Sequence, residues 1–549
     1  MNVQVFEAVA DTLWQLGVRQ VFGVAGSGNY RMTHALKERG AHYVSARHEG
    51  GAVSMADAFS RVADSIPVVS VHQGGGLTNT ITGLTEAVKS HTQMIVLSGE
   101  APLADRTSNF RIGQEQLVEA VGARSIRVSP GTARTDVRDA FRLMMAQRVP
   151  VLLNCPTDVQ MMDCADDASV DPVPPATAIR PNPAAIQAAA ELLLDARRPL
   201  IVGGRGARGA AAEIRALAER SGALLASSAV ARGLFQGDPF SLDVMGDLAS
   251  PVTIDHVLRS DVVIAFGAGL NRWTTSNGTL IAENTKVVHI DIDPMALGRQ
   301  RRVDLAIVAD AAESAKAIME HIPEMAELSG RRRTNLIKGQ IAAGVRWQDV
   351  AYRDTSTDDR IDPRAATIAL DEIFDADRNI VVDSGNFLGY PTMFLSVPDA
   401  YALCFAQAFQ CVGLGLASAI GHATARPDRL TIAACGDGGL LMGASELESV
   451  VRLNLPMAVL VYNDSAYGAE VHHFGRTGAD DGFVSFPEVD FARIAKGYGF
   501  TGVTMRSGDD LGAVKAWVDG SRDTPLLIDI KVTRSQPSWW LADAFKAES

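Results

Sequence analysis

The chain has 549 residues, 47% of them hydrophobic and 21% charged, which exceeds what one core usually supports and predicts two or three ordered domains. A formal charge of -13 with no block of Lys or Arg argues against a polyanion footprint, so nucleic acid is not an expected partner. No apolar run reaches the length of a bilayer span, the N-terminus "MNVQVFEAVADTLWQLGV" lacks the basic-then-apolar order of a signal peptide, and Cys155, Cys164, Cys404, Cys411 and Cys435 are scattered without CxxC spacing; the expectation is a cytoplasmic protein with reduced cysteines.

In chain order, short apolar runs alternate with amphipathic stretches, the rhythm of strands and helices in a doubly wound parallel sheet. "RQVFGVAG", "IPVVSVH", "QMIVLSG" and "VPVLLNCP" read as strands, with a helical stretch over residues 49–61, and make a first α/β domain at 1–165. "DCADDASVDPVPPATAIRPNP" carries acids and five prolines and reads as a linker. "RPLIVGGRG", "GALLASSAV", "SDVVIAFGAG" and "TKVVHIDIDP" are the strands of a second domain at 185–325. The charged "SGRRRTNLIKGQ" and polar "RDTSTDDRIDP" then precede a third domain at 360–549, with strands "NIVVDSG", "RLTIAACGDG", "PMAVLVYND" and "TPLLIDIKV". The fold class is α/β, three doubly wound parallel-sheet domains.

In such sheets ligands bind beyond the carboxyl ends of the strands, and "AACGDGGLLM" ends a strand with Asp437 among Gly436, Gly438 and Gly439. Glycines let backbone approach a bulky anion, and an acid beside them suggests a metal-bridged phosphate. A second oxygen donor stands at the end of the next strand, "LPMAVLVYNDSAYG", where Asn463 and Asp464 follow Asp437 by about the length of one strand–helix–strand crossover.

Together "GDGG" and "YNDSAYG" resemble the diphosphate-binding signature of thiamine diphosphate enzymes, in which GDG is followed by a strand ending in Asn-Asn; here the second Asn is Asp464. The resemblance implies thiamine diphosphate and Mg²⁺ as cofactors, with Asp437, Asp464 and the carbonyl of Ala466 as metal ligands. "SARHEGGAVSMADAFSR" resembles the segment that supplies the glutamate to the cofactor's aminopyrimidine, giving Glu49; as a residue by itself, Glu49 would simply suit a helix N-terminus. "IVVDSGNFLGY" resembles the loop that touches the diphosphate, giving Gly385 and Asn386, and "FQCVGLGLASAIG" the segment that wedges the cofactor, giving Gln410 and Val412; Tyr467 and Gly468 complete the implied cofactor contacts. The likeness covers almost the whole chain in the domain order pyrimidine-binding, middle, diphosphate-binding, as in acetolactate synthase, benzoylformate decarboxylase and benzaldehyde lyase. It further implies a homodimer or a dimer of dimers, with active sites between the first domain of one subunit and the third of another.

By the same resemblance, Ser27, His72, Gln114 and Tyr467 surround the reacting carbon, Ser27 and His72 matching positions in benzoylformate decarboxylase. A histidine near its ordinary pKa suits proton transfer. "HQGGGLTN" and Gln114-Glu115 lie nearer the synthase and the lyase, and Arg272, Trp273 and Thr274 of "GAGLNRWTTSNG" are the substrate candidates of the middle domain, Arg272 for an acceptor carboxylate. The expected activity is decarboxylation of a 2-oxo acid with transfer of the acyl anion to a carbonyl acceptor. A non-carboligating decarboxylase and a hydroxyketone lyase remain alternatives. "LIVGGRGARG" leaves FAD open, although it lacks a full GxGxxG, and no GxGxxG is found for a nicotinamide dehydrogenase either. A non-catalytic member of the family would be expected to lose Glu49 or the two acids, and all three are present.

Overall fold

The computed structural model describes residues 3–63, 65–166, 177–475, 482–535 and 537–542; part of the proline-rich linker and most of a C-terminal stretch expected to cover the site lie outside them. Three six-stranded sheets, every pairing between their strands parallel, follow one another along the chain. The first holds β1 Gln20–Gly23, β2 His42–Ser45, β3 Val68–Val71, β4 Ile95–Glu100, β5 Arg124–Arg127 and β6 Val151–Pro156, in the order β2-β1-β3-β4-β6-β5. The second holds β7 Pro199–Gly203, β8 Leu224–Ser227, β9 Ser241–Val244, β10 Val262–Phe266, β11 Lys286–Asp291 and β12 Leu305–Val308, ordered β12-β11-β10-β7-β8-β9. The third holds β13 Arg378–Val382, β14 Leu403–Phe405, β15 Leu430–Gly436, β16 Met457–Asn463, β17 Thr501–Met505 and β18 Leu526–Lys531, ordered β14-β13-β15-β16-β18-β17.

The four strands read from the sequence in each domain are the inner four of each sheet, and the six not read are the edges. Inner strands are covered on both faces and appear as unbroken apolar runs, such as Val262–Phe266. Edges such as Arg124–Arg127 keep exposed polar positions, and β14 is only three residues long. The charged stretch before the third domain is ordered: it forms a helix, Asn335–Gly344, and Arg332 beside it is buried, donating to the carbonyls of Pro199 and His256 and to Ser260 Oγ. An arginine-rich run reads as a solvated linker because sequence does not reveal which carbonyls its guanidinium groups will reach.

The first and third domains share a core. Helix Glu49–Ser60 packs on helix Gly415–Ala425, with Met55, Ala56 and Phe59 meeting Leu416, Ala419 and Ile420 in one buried cluster. The approach is close enough that a side chain at Gly421 would strike the carbonyl of Met55. His422, on the same helix, is wholly buried and donates through Nε2 to the carbonyl of Tyr401 at 3.0 Å.

Burial disfavours the imidazolium and pushes His422 down to about 4 from an ordinary 6.5. The folded pKa is depressed, so between those values the unfolded chain binds the extra proton and stability falls as pH falls. The loss should be about 3 kcal/mol. His422→Gln, which keeps a donor for Tyr401, should flatten the decline of the urea midpoint between pH 6.5 and 4; an unchanged slope would reject the assignment.

Candidate active site

In the third sheet the chain first runs from β13 outward to β14 and then returns to lay down β15 on the other side, which opens a crevice at the carboxyl ends of β13 and β15. A cavity of about 260 Å³ lies there. It is lined by Gly385 and Asn386 after β13, by Gly436, Asp437, Gly438 and Gly439 at the end of β15, by Asp464, Ala466, Tyr467 and Gly468 after β16, and by Val412. These are the residues expected from sequence to hold the cofactor, apart from Glu49 and Gln410. Gln410 is an exposed residue with φ of 60°, two positions before Val412 and outside the lining.

Asp437 is the first residue of helix Asp437–Gly443, and both it and Asp464 are buried. Burial raises the pKa of each above the usual carboxylate range, and repulsion from Asp437 raises Asp464 further. Two hard oxygen donors held against their own repulsion are a donor set for a divalent cation, which would remove the conflict. The Ala466 amide donates to Asp464 Oδ1 at 3.2 Å and so orients that carboxylate. Behind it, Asn463 donates to Asp529 Oδ1 at 2.9 Å, and Asp529 is paired with buried Lys531, also at 2.9 Å.

The glycines are needed for space. A side chain at Gly468 would strike Asp464 Oδ2, and one at Gly438 would come within 2.6 Å of the Tyr467 ring. Asn386 Oδ1 is buried with no partner, an acceptor left over beside this cradle.

The first sheet has its own crevice between β1 and β3, and there Ser27 and His72 meet, Oγ to Nε2, at 3.2 Å. His72 Nδ1 lies 2.8 Å from the carbonyl of Gln73, which can only accept, so Nδ1 carries the proton and Nε2 of the neutral ring accepts from Ser27. Glu49 opens helix Glu49–Ser60 and accepts from Asn79 Nδ2 at 2.9 Å. A Cβ at Gly76 would sit 3.1 Å from His72 Cβ and 3.3 Å from Glu49 Oε1, so the two side chains flank one bare glycine. Gln114 is brought near but turned inward: its oxygen accepts from Gly74 N at 2.9 Å, its nitrogen donates to Gly99 O and to Asn154 Oδ1, and it is buried. It braces the Gly74–Gly76 turn instead of facing a substrate.

The middle-domain candidates lie apart from the cavity. Arg272 and Trp273 begin the short helix Arg272–Thr275, the guanidinium over the indole at 4.9 Å, and Thr274 is buried against Asn271. At the crevice between β7 and β10 the glycine loop is closed. Gly204 N and Gly206 N donate to the carbonyls of Phe266 and Gly267, at 2.9 and 3.1 Å, so the amides a flavin diphosphate would need are already spent. Arg205 and Arg208 reach instead to carbonyls of the first domain, those of Ser90 and Arg61. The loop does not fit FAD, and no step below involves it.

Models of three thiamine pyrophosphate enzyme domains match the chain in turn: the N-terminal TPP binding domain at residues 3–123, the central domain at 186–318 and the C-terminal TPP binding domain at 383–530. The chain belongs to the thiamine pyrophosphate enzyme family. Relatives include the acetolactate synthase large subunit of Parasynechococcus marenigrum, 27% identical over 96% of this chain and 87% of its own. The acetolactate synthase of Arthrospira platensis is 28% identical over 96% and 94%, and the sulfoacetaldehyde acetyltransferase of Roseovarius nubinhibens 26% identical over 100% and 95%.

As a thiamine pyrophosphate enzyme the chain is thiamine diphosphate-dependent and acts on small molecules. The third-domain cavity fits the diphosphate end of that cofactor: bare glycines, a helix N-terminus at Asp437 and an unpaired Asn386 oxygen converge on it. Among the described residues no helix is long and apolar enough to cross a membrane.

Sequence reasoning missed three side chains that shape this enzyme's cavity. Phe387 stacks on Tyr462 at 5.2 Å and both line the wall. Asp383, fully buried and pushed up to about 7 by its burial, accepts from Ser384 N, Gly413 N and Leu414 N and ties β13 to the Val412 loop. The available signal was "VVDSG", an acid at a strand end followed by glycine, the same pattern that drew attention to Asp437.

Proposed function

We propose that this enzyme decarboxylates a 2-oxo acid and transfers the resulting acyl anion to a carbonyl acceptor, in the manner of acetolactate synthase, with Mg²⁺ held by Asp437, Asp464 and the carbonyl of Ala466. The observation that carries the reading is the pair of buried, mutually repelling carboxylates beside a glycine-lined cavity at the switch point of the third sheet. Thiamine diphosphate, when bound, supplies a carbon nucleophile that adds to a ketone carbonyl and accepts the electron pair left by departing CO₂.

The chain's own residues do the rest. Asp437 and Asp464 hold the cation, and the glycines with Asn386 receive the diphosphate. Val412 supports the cofactor's bend, and Tyr467 closes the wall. Glu49 holds the proton at the aminopyrimidine, and neutral His72, its Nε2 facing Ser27, takes or gives a proton at the substrate oxygen. Arg272 offers a bidentate site to an anionic group of the acceptor. The lining of the cavity comes wholly from residues 363–533, and Glu49 is not part of it. That supports an active unit of at least two chains, each lending Glu49 to the other's cavity.

A second reading has one observation in its favour. The Ser27–His72 hydrogen bond is a ready proton donor, and protonation of the acyl anion would release an aldehyde as in benzoylformate decarboxylase. The test is incubation with thiamine diphosphate, Mg²⁺ and pyruvate, with a panel of other 2-oxo acids and aldehydes, and identification of products by NMR. Acetolactate or a mixed hydroxyketone is the expected result. Free aldehyde alone would replace the first reading with the second, and turnover only from added hydroxyketones would make the enzyme a lyase.

A further inference from the structure

The shared core of the first and third domains contains two glutamates that cross from one domain to the other. Glu446, between β15 and β16, is buried, and its Oε1 accepts from the backbone amides of Arg47 and His48 at 2.9 and 3.1 Å. Its Oε2 accepts from Ser449 Oγ at 2.6 Å, so both oxygens are used. The amides it holds are those immediately before Glu49. Gly51 makes room for it, since a Cβ there would strike Glu446 Oε1.

Glu86 makes the reverse crossing. It lies on helix Ile81–Lys89 of the first domain, is buried, and accepts from Ala408 N at 2.9 Å and Phe409 N at 2.6 Å in the third. Arg61, itself paired with Asp57, donates to the same carboxylate at 2.9 Å and fixes it. The held amides lead into Gln410, whose positive φ turns the chain, and then to Val412 at the cavity. Asp383 holds the far end of this loop through Gly413 N and Leu414 N.

We propose that Glu446 and Glu86 are positioning residues exchanged between the domains: Glu446 of the third domain sets the backbone that presents Glu49, and Glu86 of the first sets the loop that presents Val412. This rests on the roles assigned above to Glu49 and Val412. Carboxylates suit the task because each accepts two backbone amides at once, where a neutral amide side chain offers only one oxygen. The consequence is that each domain's functional segment is held by the other domain, so neither half of the machinery is correctly shaped until the two have docked.

The two glutamates act on different steps, which gives a crossed test in the full chain. In Glu446→Gln, amide exchange at residues 47–48 of the cofactor-free protein should accelerate, kcat should fall about tenfold or more, and thiamine diphosphate affinity should change less than kcat. In Glu86→Gln, exchange should accelerate at residues 408–409 instead, and cofactor affinity should fall about tenfold or more, with the smaller change in kcat. Gly51→Ala, which displaces Glu446 without altering its charge, should reproduce the first pattern if Glu446→Gln does not fold. Unchanged exchange at both segments, or kcat and affinity falling in the same proportion in both variants, would overturn the proposal. A wild-type protein that binds no thiamine diphosphate would defeat the functional reading, and the exchange measurement would still decide whether the two carboxylates hold their segments.

Discussion

Replacing Glu49 by glutamine is expected to lower turnover by about 10²–10⁴-fold, the size of a lost proton-transfer group, while leaving thiamine diphosphate bound. The substitution is nearly isosteric. A glutamine oxygen can still accept from Asn79 Nδ2, and helix Glu49–Ser60 keeps its packing on helix Gly415–Ala425, because the residues that make that contact lie on its other side. What is lost is a carboxylate able to exchange a proton with the cofactor's ring nitrogen. The cavity that receives the diphosphate is untouched, since Glu49 is not among its lining residues. Steady-state kinetics beside a direct binding measurement separate the two outcomes. Full turnover would remove Glu49 from the mechanism, and loss of binding with turnover would make it a structural residue of the fold.

Removing a metal ligand should have the opposite signature. Asp437→Ala is expected to weaken Mg²⁺-dependent binding of thiamine diphosphate by about 100-fold or more, since loss of even an outer partner of a metal site typically costs 10–100-fold. Without cofactor or metal, the variant should be no less stable than the wild type, because Asp437 and Asp464 are buried like charges whose repulsion the substitution relieves. Thermal midpoints with and without Mg²⁺ and cofactor test both halves. The wild type should be stabilised by the additions and the variant should not. Gly468→Ala approaches the same point by another route, with a methyl group pressed on Asp464 Oδ2. A cofactor-free Asp437→Ala protein that melts well below the wild type would show that the acid serves the fold and not a cation.

Much of this chain could be read before it was folded. The inner strands of all three sheets were legible because they are apolar on both faces, and the two acids were legible because each ends such a strand among turn-forming residues. Edge strands were not, since half of each is polar and sequence gives no register partner. Gln114 illustrates a different limit. Its neighbours in sequence resemble a catalytic segment, yet its side chain is consumed by Gly74, Gly99 and Asn154, contacts 15 to 40 positions away. The glycines of "LIVGGRGARG" are similar, because a loop that could cradle a phosphate and one that packs against a neighbouring strand have the same composition.

By itself, then, the sequence determined the class of each domain, the positions of Asp437, Asp464 and Glu49, and the cofactor they resemble a site for, all of them local properties: hydrophobic period, turn chemistry and short-range spacing. Only the tertiary structure decided which of these groups share a cavity, which side chains are already committed to backbone partners, and that buried glutamates from each domain hold the other's functional segment. Those are pairings of up to 399 positions in separation. A carboxylate that accepts two distant amides has no local signature, because its partners are backbone groups that every residue except proline carries.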